Sequence, residues 1–368
     1  ICRNRHLNSP QRKRMQTDPR ELLKHFSTGR IILPVLLGIG AALWLFLREF
    51  DPSAFDAITW TFNSSCWLAL AIVSIVIRDF SYMVRIRVLT DNAINWYRSF
   101  IVIMLWEFSS ALAPGMLGGG FIFAIFILNK EGINMGKSIT AIMNSSFLDG
   151  VFLAVMAPVV YWVAGKNALF SGVHLNTFLG NSIFYTFWTV YFLILAYKIF
   201  VAYALFVNPK VIRTLLIALF SVPLLKRWLD KAKDTGDQLI IASEGLKNKG
   251  TKYWMWSLGA TFASWTARYS IVNCILHAFH GQKPVEDFVV YGKQVVMGII
   301  ILLSPTPGGS GLAEFMFNDF LGEFMAKGLA PTLGLLWRIL SYYPYIFVGA
   351  IILPRWFRLH FKLEKLKL

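Results

Sequence analysis

Five ionisable side chains lie inside stretches that otherwise carry almost no charge: Glu107, Asp149, Arg268, Glu314 and Arg338. A buried carboxylate needs a proton, a cation or an arginine beside it. A buried guanidinium needs a carboxylate or a phosphate, which its planar fork grips with two parallel hydrogen bonds. Asp149 follows Asn144, Ser145 and Ser146, and Arg338 precedes Tyr342 and Tyr343. Glu314 comes directly after a glycine-rich run, and Glu107 lies seven residues before a proline that opens another. Such groups in an apolar setting are functional candidates by default because leaving them there is costly. Asp149 and Arg338 occupy nearly matching places after the two prolines, 35 residues from Pro114 and 33 from Pro305, so they could pair with one another or bind a ligand separately. Lys198 and Lys293 fall nearer the ends of apolar runs, where a long stem lets the ammonium reach headgroups.

The two glycine-rich runs align without a gap. Pro114, Gly118 and Gly120 match Pro305, Gly309 and Gly311, with Gly119 in the first run and Pro307 and Gly308 in the second. Proline removes a backbone donor and glycine allows a tight reversal. Backbone of that kind cannot face lipid, so at membrane depth it must line a polar cavity or be buried in protein.

The elements that carry these residues are read from the apolar runs. Crossing about 30 Å of hydrocarbon takes roughly 17–25 apolar residues. Spans are expected at 31–47, 66–89, 138–164, 183–207, 253–279 and 329–353. Two runs, 99–128 and 288–324, are too long for one span and are broken by the glycine motifs. Segment 208–252 alternates apolar and basic positions, as helices lying at headgroup level do. Lysine and arginine stay on the cytoplasmic side. Residues 1–30, 78–98, 129–137, 208–252 and 354–368 hold 28 of them, whereas 48–63, 165–182, 280–287 and Lys327 hold four. Both termini are therefore expected in the cytoplasm. An odd number of crossings must then separate residue 98 from residue 165, so 99–128 is expected to return to its own side. The same reasoning makes 288–324 a hairpin entering from outside. The expected fold is an all-α polytopic membrane protein with six full spans and two re-entrant hairpins. These form an inverted repeat, 31–164 and 183–353, joined by an external loop at 165–182, between a basic segment at 1–30 and a basic tail at 354–368. Inverted repeats with broken helices are characteristic of secondary transporters.

Composition agrees. Of 368 residues 56% are apolar and 15% charged, against roughly 25% charged in soluble domains, and mean hydropathy is +0.55. The net charge of +16 would suggest nucleic acid in a soluble chain, but here it belongs to the loops. Cys2, Cys66 and Cys274 are too scattered for a disulfide framework, and the six histidines show no paired spacing, so no metal or other cofactor is expected. The chain begins at Ile1 with a basic stretch that lacks the apolar core of a signal peptide.

Three runs carry a resemblance: SPTPGGSGLAEF at 304–315, LLWRILSYY at 335–343, and LAPGMLGGG leading to SFLDG between 112 and 150. They resemble the transmembrane region of lysylphosphatidylglycerol synthases, a flippase-like family of bacterial and archaeal membrane proteins, over nearly all of 31–353. The first motif departs from that family: Gly119 stands where glutamate is common and Ile122 where arginine is. The second is intact, so the resemblance extends to Pro305, Pro307, Gly308, Gly309, Gly311 and Glu314, and Asp149, Arg338 and Tyr342 also fit. It implies movement of an anionic phospholipid or a lipid-linked molecule between leaflets of a bacterial cytoplasmic membrane. With no nucleotide-binding motif, ATP is not expected to drive it. The synthases' soluble aminoacylating domain has no counterpart in the 15 residues after the last span, so lipid lysylation, and enzymatic activity in general, is not expected. Three other readings remain: an ion- or proton-coupled carrier of a small solute that uses Asp149 and Glu314, a membrane enzyme acting on lipid-linked sugar, and a scaffold.

Overall fold

A computed structural model describes residues 60–113, 120–171, 178–222, 226–279, 284–326 and 328–366. The expected span at 31–47 lies outside the described residues, as do Pro114, Gly118 and Gly119. The described residues are helical and contain no strand.

Helix α1, Phe62–Leu89, starts where Thr61 Oγ1 accepts the amide of Ser64 at 3.1 Å. It ends in a left-handed turn at Asp91 and Asn92, both at φ 57°, a conformation that these two residue types tolerate. Asn95 caps α2, Trp96–Leu112, and α3 is Phe121–Lys130. These two run antiparallel. Gly120 at the start of α3 packs on Ser109 and Ser110 at the end of α2, and Glu131 just beyond α3 meets Arg98 at the start of α2, 3.6 Å apart. Asn134 then caps α4, Met135–Leu169, which is regular as far as Gly165, where φ reaches 76°.

The second half begins with α5, Phe178–Ala202, which continues through a π-helical turn, Tyr203–Val207. Helices α6, Lys210–Phe220, and α7, Leu229–Lys247, form the segment read as amphipathic, and α8 is Thr251–Ala278. Helices α9, Asp287–Ile301, and α10, Leu312–Leu321, flank the second glycine run. They also fold back on each other: Gly309 packs on Ile301, and Lys293 of α9 donates to the carbonyl of Phe320 in α10 at 2.8 Å. The last segment is interrupted at Tyr342, between α11, Ala330–Ser341, and α12, Tyr343–Leu366.

Among the described residues, four stretches are long and apolar enough to cross a membrane: Phe62–Leu89, Met135–Leu169, Ser182–Val207 and Ala330–His360. They carry exposed apolar side chains, such as Val76, Trp162, Leu193 and Ile351, suited to lipid. Helix α8 has the length but not the apolarity. Its buried side carries Ser257, Thr261 and Ser264 in the first half and Ile271, Val272 and Ile275 in the second. The main core gathers Phe152, Val160, Phe170, Phe187, Ile275, Val290 and Phe320 from α4, α5, α8, α9 and α10. Helix packing is reciprocal between the halves: α1 lies along α8, α2 packs on α12, and α9 packs on α4.

Both ends of α4 are tied. At its start, Asp91 accepts from Lys137 at 2.8 Å and from Lys249. Beyond its far end, Ser171 and Glu323 take the fully buried ammonium of Lys293 at 2.8 and 2.6 Å. Lys293 therefore does not reach out to headgroups as its sequence position suggests: its stem runs through packed helices, and its charge is matched inside. Lys198 likewise turns inward, bonding Ser146 Oγ at 2.7 Å with its stem against Gly150.

Two predictions follow from this packing. A Cβ at Gly349 would sit 2.3 Å from Phe108 Cβ, whereas Gly245 in α7 meets nothing within 4 Å. Gly349→Val should destabilise by about 1–3 kcal/mol through overpacking, and Gly245→Ala should stabilise by about 0.5–1 kcal/mol; unfolding in detergent reads both. At Asp91, burial opposes ionisation, but the hydrogen bonds from Lys137 and Lys249 outweigh it and hold the carboxyl below its ordinary value. Its contribution is thus present above an unfolded aspartate pKa of about 3.9 and lost as pH falls through the lower folded value. Asp91→Asn should narrow the stability gap between neutral and acid pH in the same measurement.

Candidate functional site

A cavity of about 390 Å³ opens among α1, α2, α4, α8, α9, α10, α11 and α12. Its charged wall is built from three ion-paired groups. Arg85 of α1 lies 2.5 Å from Asp149 of α4, which also accepts from Trp265 Nε1 at 2.7 Å. Arg78 of α1 and Arg268 of α8 converge on the same oxygen of Glu107, at 2.5 and 3.5 Å. Arg338 of α11 meets Glu314 at 2.6 Å and donates to the carbonyl of Gly308 at 2.9 Å. Each arginine comes from one helix and its carboxylate from another, so the charges clamp the cavity wall together.

The second glycine run sets the position of the third group. Gly308, Gly309 and Gly311 have φ of 58°, 71° and 86°, a region that other residues rarely adopt. The Gly308 backbone lies flat against Tyr342, where a Cβ would come within 2.2 Å of the ring. Glu314, in the first turn of α10, accepts the Gly311 amide at 2.5 Å while holding Arg338 with its other oxygen. Tyr342, at the break between α11 and α12, donates to the carbonyl of Ala111 at 3.0 Å and so ties the end of α2 to this turn.

Of the residues singled out from sequence, Glu107, Asp149, Arg268, Gly308, Arg338 and Tyr342 line this one cavity. Glu314 stands behind Arg338. Pro305, Pro307, Gly309 and Gly311 shape the turn without lining the space, and Gly120 serves the packing of α3 on α2. Asp149 and Arg338 do not pair with each other, because Arg85 and Glu314 are nearer partners. Sequence reasoning assigned Arg78 and Arg85 to a cytoplasmic helix end; both are buried here. Their signal was helical spacing: Arg78, Tyr82 and Arg85 fall at i, i+4 and i+7, on one face. Asp79, held by Tyr345 Oη at 2.9 Å, was missed too, as were Trp265, Tyr269 and Gln294 of the wall.

Two donors lining this cavity lack an acceptor, and a third shares its acceptor with another arginine. Arg268 is partly exposed, and the Glu107 oxygen it approaches is already held by Arg78. Arg338 Nη2 and Tyr269 Oη are buried without a hydrogen-bond partner among the described residues. The rest of the lining is largely apolar or aromatic, with Trp106, Leu153, Val272, Met297, Ile301 and Phe317.

The family described as lysylphosphatidylglycerol synthase TM region matches residues 31–349, which takes in every residue that lines the cavity. The chain belongs to that family. A relative named UPF0104 membrane protein, from Archaeoglobus fulgidus, is 23% identical over 309 residues, covering 80% of this chain and 88% of its own length. No solved structure matches. Membership agrees with the apolar spans in placing this chain in a membrane, in a family whose name links it to lipid handling.

The pairing of Arg338 makes it a stability test for the family site. Arg338→Ala leaves the Glu314 carboxylate without its guanidinium and should cost about 3–5 kcal/mol in detergent unfolding. Glu314→Gln keeps one acceptor oxygen, enough for Arg338 or the Gly311 amide but not for both, and should cost less than Arg338→Ala.

Proposed function

We propose that this protein moves an anionic phospholipid, or a lipid-linked molecule, between the leaflets of a cytoplasmic membrane, without ATP hydrolysis and without altering the lipid chemically. The observation that carries the reading is the set of under-used donors on the cavity wall: Arg338 Nη2 and Tyr269 Oη have no acceptor among the described residues, and Arg268 shares one Glu107 oxygen with Arg78. A phosphate supplies several strong acceptor oxygens and a charge that guanidinium groups grip in two-point fashion. At ~30 Å³ per water the cavity has room for about a dozen waters. That suits a headgroup and is far too small for two acyl chains, which would stay in the bilayer.

The architecture proposed with it is an inverted repeat in which α2–α3 and α9–α10 dip into the membrane from opposite faces and return. Reciprocal packing of α2 on α12 and α9 on α4 supports it, as does the folding back of each broken pair. The cytoplasmic placement of both termini is also part of the reading, and it survives removing Arg78 and Arg85 from the loop tally. A carrier that used Asp149 and Glu314 as cation sites would need those carboxylates free, and each is held by an arginine.

The test is leaflet exchange of fluorescent phosphatidylglycerol in liposomes containing the full chain. Exchange should exceed that of protein-free liposomes, and Arg268→Ala should weaken lipid binding by about ten- to a hundredfold, as losing a charged hydrogen-bond donor does. Exchange no faster than in protein-free liposomes, for anionic and zwitterionic lipids alike, would overturn the proposal. Solute uptake under a proton or sodium gradient in the same vesicles would then favour the carrier.

A further inference from the structure

Five buried polar atoms around the first half of α4 have no hydrogen-bond partner among the described residues. Thr140 Oγ1, Asn144 Oδ1 and Ser145 Oγ belong to α4 itself, Ser257 Oγ to α8 and Ser243 Oγ to α7. The most exposed of the five residues, Thr140, is at 3%. Native interiors rarely leave such groups unmatched, because each gives up its hydrogen bonds to water for nothing. Five of them gathered around one helix are groups that would gain hydrogen bonds if water reached them.

The cluster has two ends. Asn144 Nδ2 donates to Tyr253 Oη at 3.1 Å. Five residues on, Arg85 bridges Asp149 and Thr261, and Trp265 reaches Asp149 as well. Residues 144–149 of α4 therefore run beside 253–265 of α8, laced at both ends, with the unmatched Ser145 and Ser257 in the stretch between. On one side of this seam lies the half-exposed Asp91 with Lys137 from the first turn of α4 and Lys249 from just before α8. On the other, Asp149 is part of the cavity wall.

We propose that the α4–α8 seam is the aqueous route between the Asp91 face and the cavity, closed here by the Asp91 ion pairs. Parting the helices would give the dry hydroxyls water and cost little at the clasp, because exposed ion pairs are weak. The opposite end of α4 is fastened differently. There the buried Lys293 holds Ser171, Glu323 and the Phe320 carbonyl, groups that lose far more when separated. That difference assigns opening to the Asp91 face. The purpose of the route, to admit a polar headgroup, rests on the translocation reading; its existence does not.

The test uses the full chain in liposomes with Cys2, Cys66 and Cys274 replaced by alanine, and single cysteines introduced as Ser145→Cys, Ser257→Cys and, for a lipid-facing reference, Leu193→Cys. A membrane-impermeant methanethiosulfonate reagent is applied from each side. The seam positions should react from one side only and faster than the reference. Adding Asp91→Ala should raise their rates by about five- to tenfold, the population shift expected from losing two surface ion pairs. Seam cysteines no faster than Leu193→Cys, with Asp91 present or replaced, would overturn the proposal. Labelling that depends on Asp91 without lipid exchange would uphold the route and count against translocation. Lipid exchange with silent seam cysteines would do the reverse.

Discussion

The molecule depends on one electrostatic constraint: arginines held away from water need carboxylates within reach. In an interior of low polarity, an unpaired guanidinium costs more than most single contacts return. The chain answers by drawing partners from different helices. Arg85 of α1 takes Asp149 of α4, Arg78 of α1 takes Glu107 of α2, and Arg338 of α11 takes Glu314 of α10. These pairs place the helices around the cavity as well as neutralising its wall. Helix order in the middle of the protein is thus set by charge at positions where apolar packing alone would allow several arrangements.

The second constraint is backbone geometry. Three glycines in the left-handed region at 308, 309 and 311 let the chain reverse between α9 and α10 while aiming the Gly308 carbonyl at Arg338. The unpaired groups of the turn are met by side chains close by. Glu314 takes the Gly311 amide, and Thr306 Oγ1 donates to the Ser310 carbonyl at 2.7 Å. Within the turn Ser304 and Gly309 are buried and Gly308 lines the cavity, whereas Pro305, Pro307 and Gly311 are exposed. The turn is consequently both a structural necessity and a part of the wall.

Much of this was legible in the sequence, and the limits of what was legible have physical causes. Apolar run length gave the spans Phe62–Leu89, Met135–Leu169 and Ser182–Val207, because membrane thickness sets helix length directly. Isolated charges in apolar runs gave Glu107, Asp149, Arg268 and Arg338, and these meet at one cavity. Arg78 and Arg85 escaped because counting basic residues treats a helix end as a loop and ignores which face a charge occupies. Lys293 escaped for a related reason: proximity to a span end says nothing about whether a carboxylate waits on the neighbouring helix, and Glu323 lies 30 residues away in the chain. Partner choice for Asp149 depended on how α1 and α4 are juxtaposed, which no local pattern encodes.

The two halves share an outline but not a charge distribution, and the difference bears on how the cavity would work. The second glycine run contributes Gly308 directly and is locked to Arg338 through Glu314. With Pro114 aligned on Pro305, Phe123 stands in the first half where Glu314 does in the second, and the neighbouring Ile122 is 80% exposed and apolar. Helix α2 instead sends in Glu107, which draws Arg78 and Arg268 together from α1 and α8. The donors left for a ligand, on Arg268, Tyr269 and Arg338, all belong to the second half. The first half supplies acidic groups that fix the arginines in place, and the second supplies the hydrogen-bond donors that would meet a headgroup. If the proposed translocation holds, donors gathered on one side would let a headgroup leave past the other half.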